Sequence, residues 1–368
     1  MRDIRKYRGC LLGGAVGDAL GFPVEFLYDE QIFRRYGENG ITEYELYDGT
    51  AEISDDTQMT LFTANGLLLG TTRRMTSGII APYTDFLAQC YDDWLITQSF
   101  PPSPGYRNHT WLINVPELHH ERAPGHTCIN ALRSGRKGAI GHPINDSKGC
   151  GGVMRVAPIG LYFPAGPGSD ETDLLGAQAA ALTHGHELGY IPAAALVHII
   201  NYLTHIEHAD LRHAVDDSLD AVKRLFPNAR YLTDFLRLME KACLLSREKE
   251  LDDLEGIRVL GEGWVAEETL AIAVYCSLKY ENNFEKGIVA AVNHSGDSDS
   301  TGSVTGNILG AFLGSDEIPE EFLSKLELKQ VITQIADDLY YDYQKGETSC
   351  SEDASWEHKY LYCDYLPR

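Results

Sequence analysis

The chain has 368 residues, of which 43% are hydrophobic and 23% are charged, a composition typical of a folded globular protein and not of a disordered or fibrous one. Its 54 Asp and Glu residues outnumber 31 Lys and Arg residues, which gives a formal net charge of -23. This charge argues against a nucleic-acid partner, because binding a phosphate backbone requires a basic face. Any phosphate must instead be bound by backbone N–H groups or through a metal.

The N-terminal stretch MRDIRKYRGCLLGGAVGDALG begins like a signal peptide, but Asp18 interrupts its apolar run and no A-x-A cleavage site follows. No segment reaches the roughly eighteen apolar residues that span a bilayer. The eight cysteines are scattered, without a CxxC pair or zinc-type spacing, as expected of reduced and mostly buried thiols. We therefore expect a cytoplasmic monomer with no membrane or nucleic-acid partner.

Glycine recurs at every fourth position in two stretches, namely Gly9, Gly13, Gly17 and Gly21, and Gly302, Gly306, Gly310 and Gly314. Glycine in a helix interior costs about 1 kcal/mol relative to alanine, so this pattern requires a reason. Spacing of four keeps the glycines on one helix face, where two backbones can approach closely. We predict that these two helices cross and bring the two ends of the chain together. The alternative is that each glycine face meets some other helix.

Helical periodicity dominates the rest of the chain, for example in ETDLLGAQAAALTH, AAALVHIINYLTHI and AEETLAIAVYCSLKY. Alternating strand patterns are nearly absent, and no GxGxxG follows a strand. The sequence therefore predicts one compact all-α domain over residues 1–368. We expect the aromatic C-terminal stretch SWEHKYLYCDYLPR to pack against it.

Residues 100–127 interrupt the helical pattern with five prolines and no period. Loops of this length are uncommon unless they are functional or disordered. Trp111, Leu112 and Ile113 favour an ordered lid or contact surface, and an insertion without a role is the alternative. We predict that the functional motifs all lie outside this insertion.

Two stretches concentrate aspartate and hydroxyl side chains. ISDDTQM places Ser54, Asp55 and Asp56 at the start of an amphipathic helix, and HSGDSDSTG, residues 294–302, contains the second cluster, Asp297, Asp299 and Ser300. Such hard oxygen ligands are those that Mg²⁺, Mn²⁺ and Ca²⁺ prefer. Either cluster alone could be a helix cap. Together the four aspartates carry four negative charges, which two divalent cations would balance.

An EF-hand calcium loop is the main rival interpretation of the second cluster. It fails because Ile308 occupies the twelfth position, where a bidentate glutamate belongs. We therefore predict a dinuclear site built from both ends of the chain.

Two further stretches offer candidate ligand contacts. SKGCGGVMRVAPIGL, residues 147–161, is a glycine-rich loop whose N–H groups suit a pyrophosphate, although a plain tight turn explains it equally well. THGHELGY, residues 183–190, places His184 and His186 at a helix junction, where histidines are more often structural than ligating.

Five motifs, in this order, resemble the ADP-ribosylglycohydrolase family: GCLLGGAVGDALGFPVEF, SDDTQM, GCGGVMRVAPIGL, LTHGHELGY and HSGDSDSTGSVTGNILGAFLG. The resemblance implies an orthogonal multi-helix fold around two Mg²⁺ or Mn²⁺ ions and the removal of ADP-ribose from modified side chains. It also implies that the metals bind the distal ribose and a water molecule, while a carboxylate directs proton transfer as an oxocarbenium-like state develops.

The resemblance assigns candidate residues by role. The metal ligands would be Ser54, Asp55, Asp56, Asp297, Asp299 and Ser300, and the catalytic residues would be Glu25, Asp55 and Asp56. Substrate binding would fall to Ser147, Gly149, Cys150, Gly151, Met154 and His184. Many relatives have Thr at the positions of Ser54 and Ser300, and Asn-Gly-Ala where this chain has Cys150-Gly151-Gly152, so the phosphate loop departs from the family pattern.

The motifs look most similar to the hydrolases of ADP-ribosylarginine, the type that acts on dinitrogenase reductase. A pocket for guanidinium would require carboxylates, for which Glu25 and the Asp92–Asp93 pair are candidates. Hydrolysis of ADP-ribosylserine or O-acyl-ADP-ribose, or an inactive member with a binding role, are the alternatives. The substrate would be a modified protein, and in an immunity role the further partner would be a toxin bound through residues 100–127.

Overall fold

The computed structural model describes residues 2–166, 169–345 and 352–367. These residues form seventeen α-helices joined by loops and short 3₁₀ turns, and the β-pairing among them is confined to isolated bridges. The prediction of an all-α fold is confirmed. The helices are α1 Ile4–Gly21, α2 Asp29–Tyr36, α3 Asp55–Ser77, α4 Tyr83–Thr97, α5 His126–Arg133, α6 Ala157–Tyr162, α7 Ser169–Ala181, α8 Glu187–His205, α9 Leu211–Leu225, α10 Leu232–Leu245, α11 Asp253–Leu260, α12 Ala266–Lys279, α13 Phe284–Val292, α14 Ser298–Leu313, α15 Glu320–Leu323, α16 Lys329–Tyr341 and α17 Trp356–Tyr360.

The two glycine faces pack against each other, as predicted, where α1 and α14 cross. The helices run antiparallel, so the pairs in contact are Gly9 with Gly310, Gly13 with Gly306 and Gly17 with Gly302. A Cβ atom added to Gly13 would lie 2.5 Å from the carbonyl oxygen of Gly306, which no real side chain tolerates. The glycines therefore permit a backbone contact that alanine would prevent.

The fourth glycine of the second stretch has a different function. Gly314 lies just past the end of α14 with φ of +90°, a conformation that favours glycine, and the atoms nearest to a Cβ built on it belong to Arg5. At the other end of the crossing, Gly21 lies against the backbone of Ser298. The end of α1 is thereby placed beside the acidic first turn of α14.

The core is built around α8 and α12, which are buried on nearly all faces. This burial explains why their sequences are apolar around the whole helix and not along a single stripe. Across the part of the chain that the structure describes, no single helix is long and apolar enough to cross a membrane. The first two helices meet that criterion only as a pair bent by 95°.

The 100–127 segment is ordered, with two 3₁₀ turns at Trp111–Asn114 and Pro116–Leu118 before α5 begins. Trp111 and Leu112 are fully buried. The expectation that these side chains form a contact surface is therefore wrong, because an aromatic and aliphatic pair in a loop can equally insert into the core. The aromatic C-terminal stretch packs as expected, with Trp356 and Tyr360 buried.

Candidate metal centre and active site

A cavity of about 740 Å³ opens over the N-termini of α3 and α14. Eleven of the thirteen predicted site residues line it. Those eleven are Glu25, Asp55, Asp56, Gly149, Cys150, Gly151, Met154, His184, Asp297, Asp299 and Ser300. The two exceptions are Ser54, which is fully buried beside Asp55, and Ser147, so one tertiary site unites residues from both ends and the middle of the chain.

Acidic side chains meet where the two helices begin. Asp55 and Asp56 form the first turn of α3, while Asp297 caps α14 and Asp299 lies in its first turn. The hydroxyl of Ser300 donates to Oδ1 of Asp56 at 3.2 Å and so connects the two helix starts. The predicted assembly of the two aspartate clusters is therefore what the structure shows.

Glu25, which the sequence suggested as a catalytic group, belongs to the same carboxylate cluster. Ligand atoms of Glu25, Asp297 and Asp299 lie within 4.8 Å of one another. Glu25 follows the 3₁₀ turn Phe22–Val24 at the end of α1, which the glycine contact holds against α14. Its position makes it a candidate metal ligand in addition to the six predicted ones.

The electrostatics of the cluster suit a divalent cation. Burial raises the pKa of Asp55, Asp56 and Asp299 well above the usual range, and neighbouring carboxylates add to the effect. Burial, Asp297 and Asp55 raise the pKa of Glu25 to about 9. Crowded carboxylates of this kind require protons or a cation to offset their mutual repulsion.

Two oxygens of the cluster also lack partners. Oδ2 of Asp56 and Oε2 of Glu25 are buried without a hydrogen bond to any described residue. Buried polar atoms are normally satisfied, so free oxygens among hard ligands are what a bound metal ion would use. The residues present therefore fit the divalent metal that the resemblance implies.

Asp18 supports the site from beneath and was not predicted. Its carboxylate accepts hydrogen bonds from the backbone N–H of Ser54, at 2.9 Å, and of Thr57, at 3.1 Å. Asp18 is fully buried, and burial raises its pKa to about 6. Ser54 in turn caps α3 by accepting from the N–H of Asp56 at 3.2 Å. The signal for Asp18 was a single acid within the apolar, glycine-rich second half of α1.

The glycine-rich loop forms one wall of the cavity. Its backbone is fixed by hydrogen bonds to the start of α12, from the N–H of Cys150 to the carbonyl of Trp264 at 3.2 Å and from the N–H of Ala266 to the carbonyl of Lys148 at 2.9 Å. A Cβ on Gly151 would lie 2.8 Å from Sγ of Cys128 and 3.1 Å from Cε1 of His184, so a larger residue there would have to displace these side chains. Ser147 hydrogen-bonds Thr127 at 3.0 Å and supports the loop from behind.

His184 lies behind this loop, almost fully buried. Burial, with the nearby charge of Arg155, lowers its pKa to about 3, so the ring is neutral at physiological pH. Its Nδ1 is 2.8 Å from the hydroxyl of Thr183. Nε2 lies 3.4 Å from the position that a Cβ of Gly149 would occupy, so the ring packs directly against the loop.

The rim of the cavity carries an aromatic pair that the sequence analysis did not single out. The rings of Phe26 and Trp264 stack with 5.8 Å between centroids and an interplanar angle of 23°. Both line the cavity, and Phe26 is 70% exposed. Phe26 directly follows Glu25, so the pair covers the cavity beside the carboxylate cluster.

The end of the 100–127 segment is part of the cavity wall, which corrects the expectation that the insertion lies outside the site. Residues 123–127 line the cavity. The backbone N–H of Asp55 donates to the carbonyl of Arg122 at 3.0 Å, and the N–H of Gly125 donates to Oδ2 of Asp55 at 3.3 Å. The segment therefore positions a predicted metal ligand.

Asp92 and Asp93 do not line the cavity, which corrects their selection as guanidinium contacts. Asp93 is fully buried and accepts hydrogen bonds from the backbone N–H groups of His109 and Thr110, each at 2.7 Å. Its function is to hold the 100–127 segment. Glu121, from that segment, is instead the exposed acid that lines the cavity.

A sequence profile of the ADP-ribosylglycohydrolase family matches residues 1–348. The chain belongs to the ADP-ribosylglycohydrolase family. This family consists of metal-dependent hydrolases of ADP-ribosyl linkages. The resemblance carried by the five motifs is thereby confirmed, together with the coarse activity that it implied.

Similar proteins agree with this assignment. ADP-ribosylhydrolase ARH3 of Homo sapiens is 24% identical over 94% of this chain and 95% of that protein. ARH3 of Bos taurus is 28% identical over 54% of this chain and 59% of that protein. ADP-ribosyl-[dinitrogen reductase] glycohydrolase of Rhodospirillum rubrum is 25% identical over 87% of this chain and 90% of that protein.

A solved structure titled ADP-ribosylglycohydrolase-related protein complex superposes with a TM-score of 0.57 at 24% identity, covering 92% of this chain and 98% of that one. The ADP-ribosylglycohydrolase fold of this chain is therefore shared with a known structure. The identity of the linkage cleaved is a separate question.

Proposed function

We propose that this ADP-ribosylglycohydrolase releases ADP-ribose from ADP-ribosylated arginine in proteins, with two Mg²⁺ or Mn²⁺ ions as cofactors. The observation that supports the arginine linkage is the exposed carboxylate of Glu121 on the cavity lining, which forms no ion pair with any described residue. A planar guanidinium is the cation that a carboxylate binds with two parallel hydrogen bonds. The net charge of -23 favours the approach of a cationic acceptor.

The carboxylates at the two helix starts would hold the ions. The proposed ligands are the carboxylates of Glu25, Asp55, Asp56, Asp297 and Asp299 with the hydroxyls of Ser54 and Ser300. Divalent ions in such a site supply Lewis-acid polarisation of bound sugar hydroxyls and lower the pKa of a bound water. Asp18 keeps the start of α3 in place, so that the ligands need not reorganise when ions bind.

The remaining cavity residues would orient the substrate. The loop residues Gly149, Cys150 and Gly151 line the cavity and would contact the pyrophosphate. The N–H of Gly151 would be the donor, because the N–H groups of Gly149 and Cys150 are bonded to Ser147 and Trp264. The aromatic pair at the rim would contact the substrate beside the cluster. In the reaction the C–N bond between the anomeric carbon and the guanidine breaks, water supplies the oxygen that bonds to that carbon, and one proton passes to the guanidine nitrogen.

The protein partner is also part of the proposal. Residues 101–105 of the insertion are all exposed. We assign this surface to contact with a protein substrate, and in an immunity role with an ADP-ribosylating toxin. Its proline content limits the entropy lost on binding.

A panel of linkage-defined ADP-ribosylated peptides tests the linkage. We expect release from the arginine linkage with Mg²⁺ or Mn²⁺, loss of release with chelator, and much slower release from the serine linkage. Preferential cleavage of the serine linkage would show that the arginine assignment is wrong, and an absence of cleavage from any peptide would support a binding role.

Matched variants test the role of Glu121. Glu121→Gln is expected to raise KM for the arginine peptide with little change in kcat, because the carboxylate contacts the acceptor and not the anomeric carbon. Glu117→Gln is the control, since Glu117 is exposed in the same segment but does not line the cavity. Equal effects of the two substitutions would remove the basis for a guanidinium contact.

A further inference from the structure

The thiol of Cys150 directly contacts the carboxylate cluster. Its Sγ donates to Oδ2 of Asp297 at 2.8 Å, closer than two unbonded atoms of these sizes approach. The side chain is partly exposed and lines the cavity, so a dissolved ion can reach it. The carboxylate of Asp56 is also near enough to act electrostatically on this sulfur.

The position of the thiol is set by the fold. Cys150 begins the 3₁₀ turn Cys150–Gly152, and its N–H is held by the carbonyl of Trp264 at 3.2 Å. Asp297 is held as the cap of α14, where it accepts from the N–H of Ser300 at 3.3 Å. Both donor atoms are therefore presented by rigid backbone before any ion binds, which limits the cost of ordering a ligand set.

We propose that Cys150 is a sulfur ligand of this centre. It enables the centre to bind thiophilic divalent ions such as Zn²⁺ and Cd²⁺ in addition to Mg²⁺ and Mn²⁺. Two donor atoms that share one ion lie about 3 to 3.5 Å apart, because each is about 2.0 to 2.3 Å from the metal. The pair formed by the Cys150 sulfur and the Asp297 oxygen is close to that range.

A buried oxygen of the same cluster also lacks a partner. Oδ2 of Asp56, a residue that is 2% exposed, has no hydrogen-bond partner among the described residues. A thiophilic ion would take the sulfur of Cys150 with Oδ2 of Asp297, and the thiol proton would pass to solvent as the metal–sulfur bond forms. Soft sulfur selects Zn²⁺ and Cd²⁺ strongly, whereas Mg²⁺ prefers oxygen.

A second cysteine provides the internal control. Cys128 also lines the cavity, but its sulfur is not hydrogen-bonded to a carboxylate of any described residue. It lies 3.4 Å from Nη1 of Arg155 and 3.9 Å from the carbonyl oxygen of Gly151. A cation would be repelled by the guanidinium. Cys128 is therefore a cavity thiol without the proposed ligand environment.

The test is a Cd²⁺ titration of the metal-free full-length protein, followed by the sulfur-to-cadmium charge-transfer absorption in the ultraviolet. We expect a band in the wild type that is lost in Cys150→Ser and kept in Cys128→Ser. Calorimetry should show Cd²⁺ affinity weakened about tenfold or more in Cys150→Ser, with Mg²⁺ affinity changed less than about threefold. Retained Mg²⁺ binding and an unchanged circular dichroism spectrum establish that the variant folds.

A band that survives Cys150→Ser, a band lost in Cys128→Ser, or equal Cd²⁺ affinity of wild type and Cys150→Ser would each overturn the proposal. The proposal relies on the same carboxylate cluster as the proposed function. The test measures ion binding without substrate. A negative result with the arginine-linked peptide therefore does not affect the Cys150 proposal, and a negative result in the Cd²⁺ titration does not affect the hydrolase assignment.

Discussion

The indole ring of Trp111 meets the phenol ring of Tyr365 edge-on, with 5.2 Å between ring centroids and an interplanar angle of 88°. Tyr365 lies beyond residue 348, where the family match ends. The side-chain amide of Asn114 adds hydrogen bonds to the carbonyls of Cys363, at 3.1 Å, and Tyr365, at 3.2 Å. The C-terminal segment therefore supports the 100–127 segment, whose end forms one wall of the cavity.

Removing that support should loosen the cavity wall. Edge-to-face aromatic pairs contribute about 0.5 to 1.5 kcal/mol beyond area burial. We expect Tyr365→Ala to raise KM for the ADP-ribosylated substrate and to speed hydrogen exchange in residues 120–127, with kcat less affected. Leu366→Ala is the control, because Leu366 is 66% exposed. Unchanged exchange in residues 120–127 would argue against the support.

Loss of one carboxylate of the cluster should reduce metal-dependent activity but stabilise the ion-free fold. Asp299→Ala removes a hard ligand, and we expect it to reduce Mg²⁺-dependent turnover by about a hundredfold or more. In the presence of chelator the same variant should unfold at a higher temperature than wild type. The reason is that the raised pKa of Asp299 marks a carboxylate whose charge destabilises the ion-free fold. Full activity after chelation, or a lower unfolding temperature, would contradict the metal assignment.

The crossing of α1 and α14 should not tolerate a single added methyl group. Gly13→Ala would improve helix propensity by about 1 kcal/mol, but the new Cβ would lie 2.5 Å from the backbone of Gly306. We expect overpacking to prevail and the free energy of unfolding to fall by about 1 to 3 kcal/mol in urea denaturation. Gly70→Ala is the comparison, because there a Cβ meets only side-chain atoms, which can shift. A stability gain at Gly13 would show that the helices have room to separate.

His205 should make the fold sensitive to acid. Its Nε2 lies 2.9 Å from the carbonyl of Leu161, and burial lowers its pKa to about 4. Between pH 6.5 and 4 the unfolded chain takes up a proton there and the folded chain does not. Stability is therefore lost as pH falls through this window, by roughly 1.4 kcal/mol per pH unit below the unfolded pKa.

His205→Gln should flatten this dependence in urea denaturation at pH 7, 5.5 and 4.5. Exposed His142→Gln is the control and should leave the pH dependence as in wild type. An unaltered slope in His205→Gln would show that other groups dominate the acid sensitivity.

The 100–127 segment should divide into two functional parts. Replacing exposed residues 101–105 with Gly and Ser should spare hydrolysis of a small ADP-ribosylated compound and weaken action on a protein substrate. Shortening the segment through residue 122 should reduce both activities, because the carbonyl of Arg122 accepts the N–H of Asp55. Kinetic assays with the small compound and with a protein substrate distinguish the two variants. If the longer deletion left hydrolysis of the small compound unchanged, the end of the 100–127 segment would not be part of the active site.

Much of the fold and the grouping of the aspartate clusters could be predicted from the sequence, because the signals are local. Helical periodicity is read within a few turns, and glycine spacing of four marks the faces of α1 and α14 without any knowledge of their partner. Aspartates crowded into SDD and GDSDS carry their metal-ligand chemistry wherever they are placed.

Only the tertiary structure decided which residues face the cavity. Asp18 reaches the backbone of Ser54 and Thr57 across a loop, and Phe26 stacks on Trp264 from the far half of the chain. Trp111 lies in the core and not on the surface, although the sequence of this aromatic loop is compatible with either position. These contacts depend on how the helices pack, since a side chain acquires its partner, its burial and its pKa only when distant segments meet.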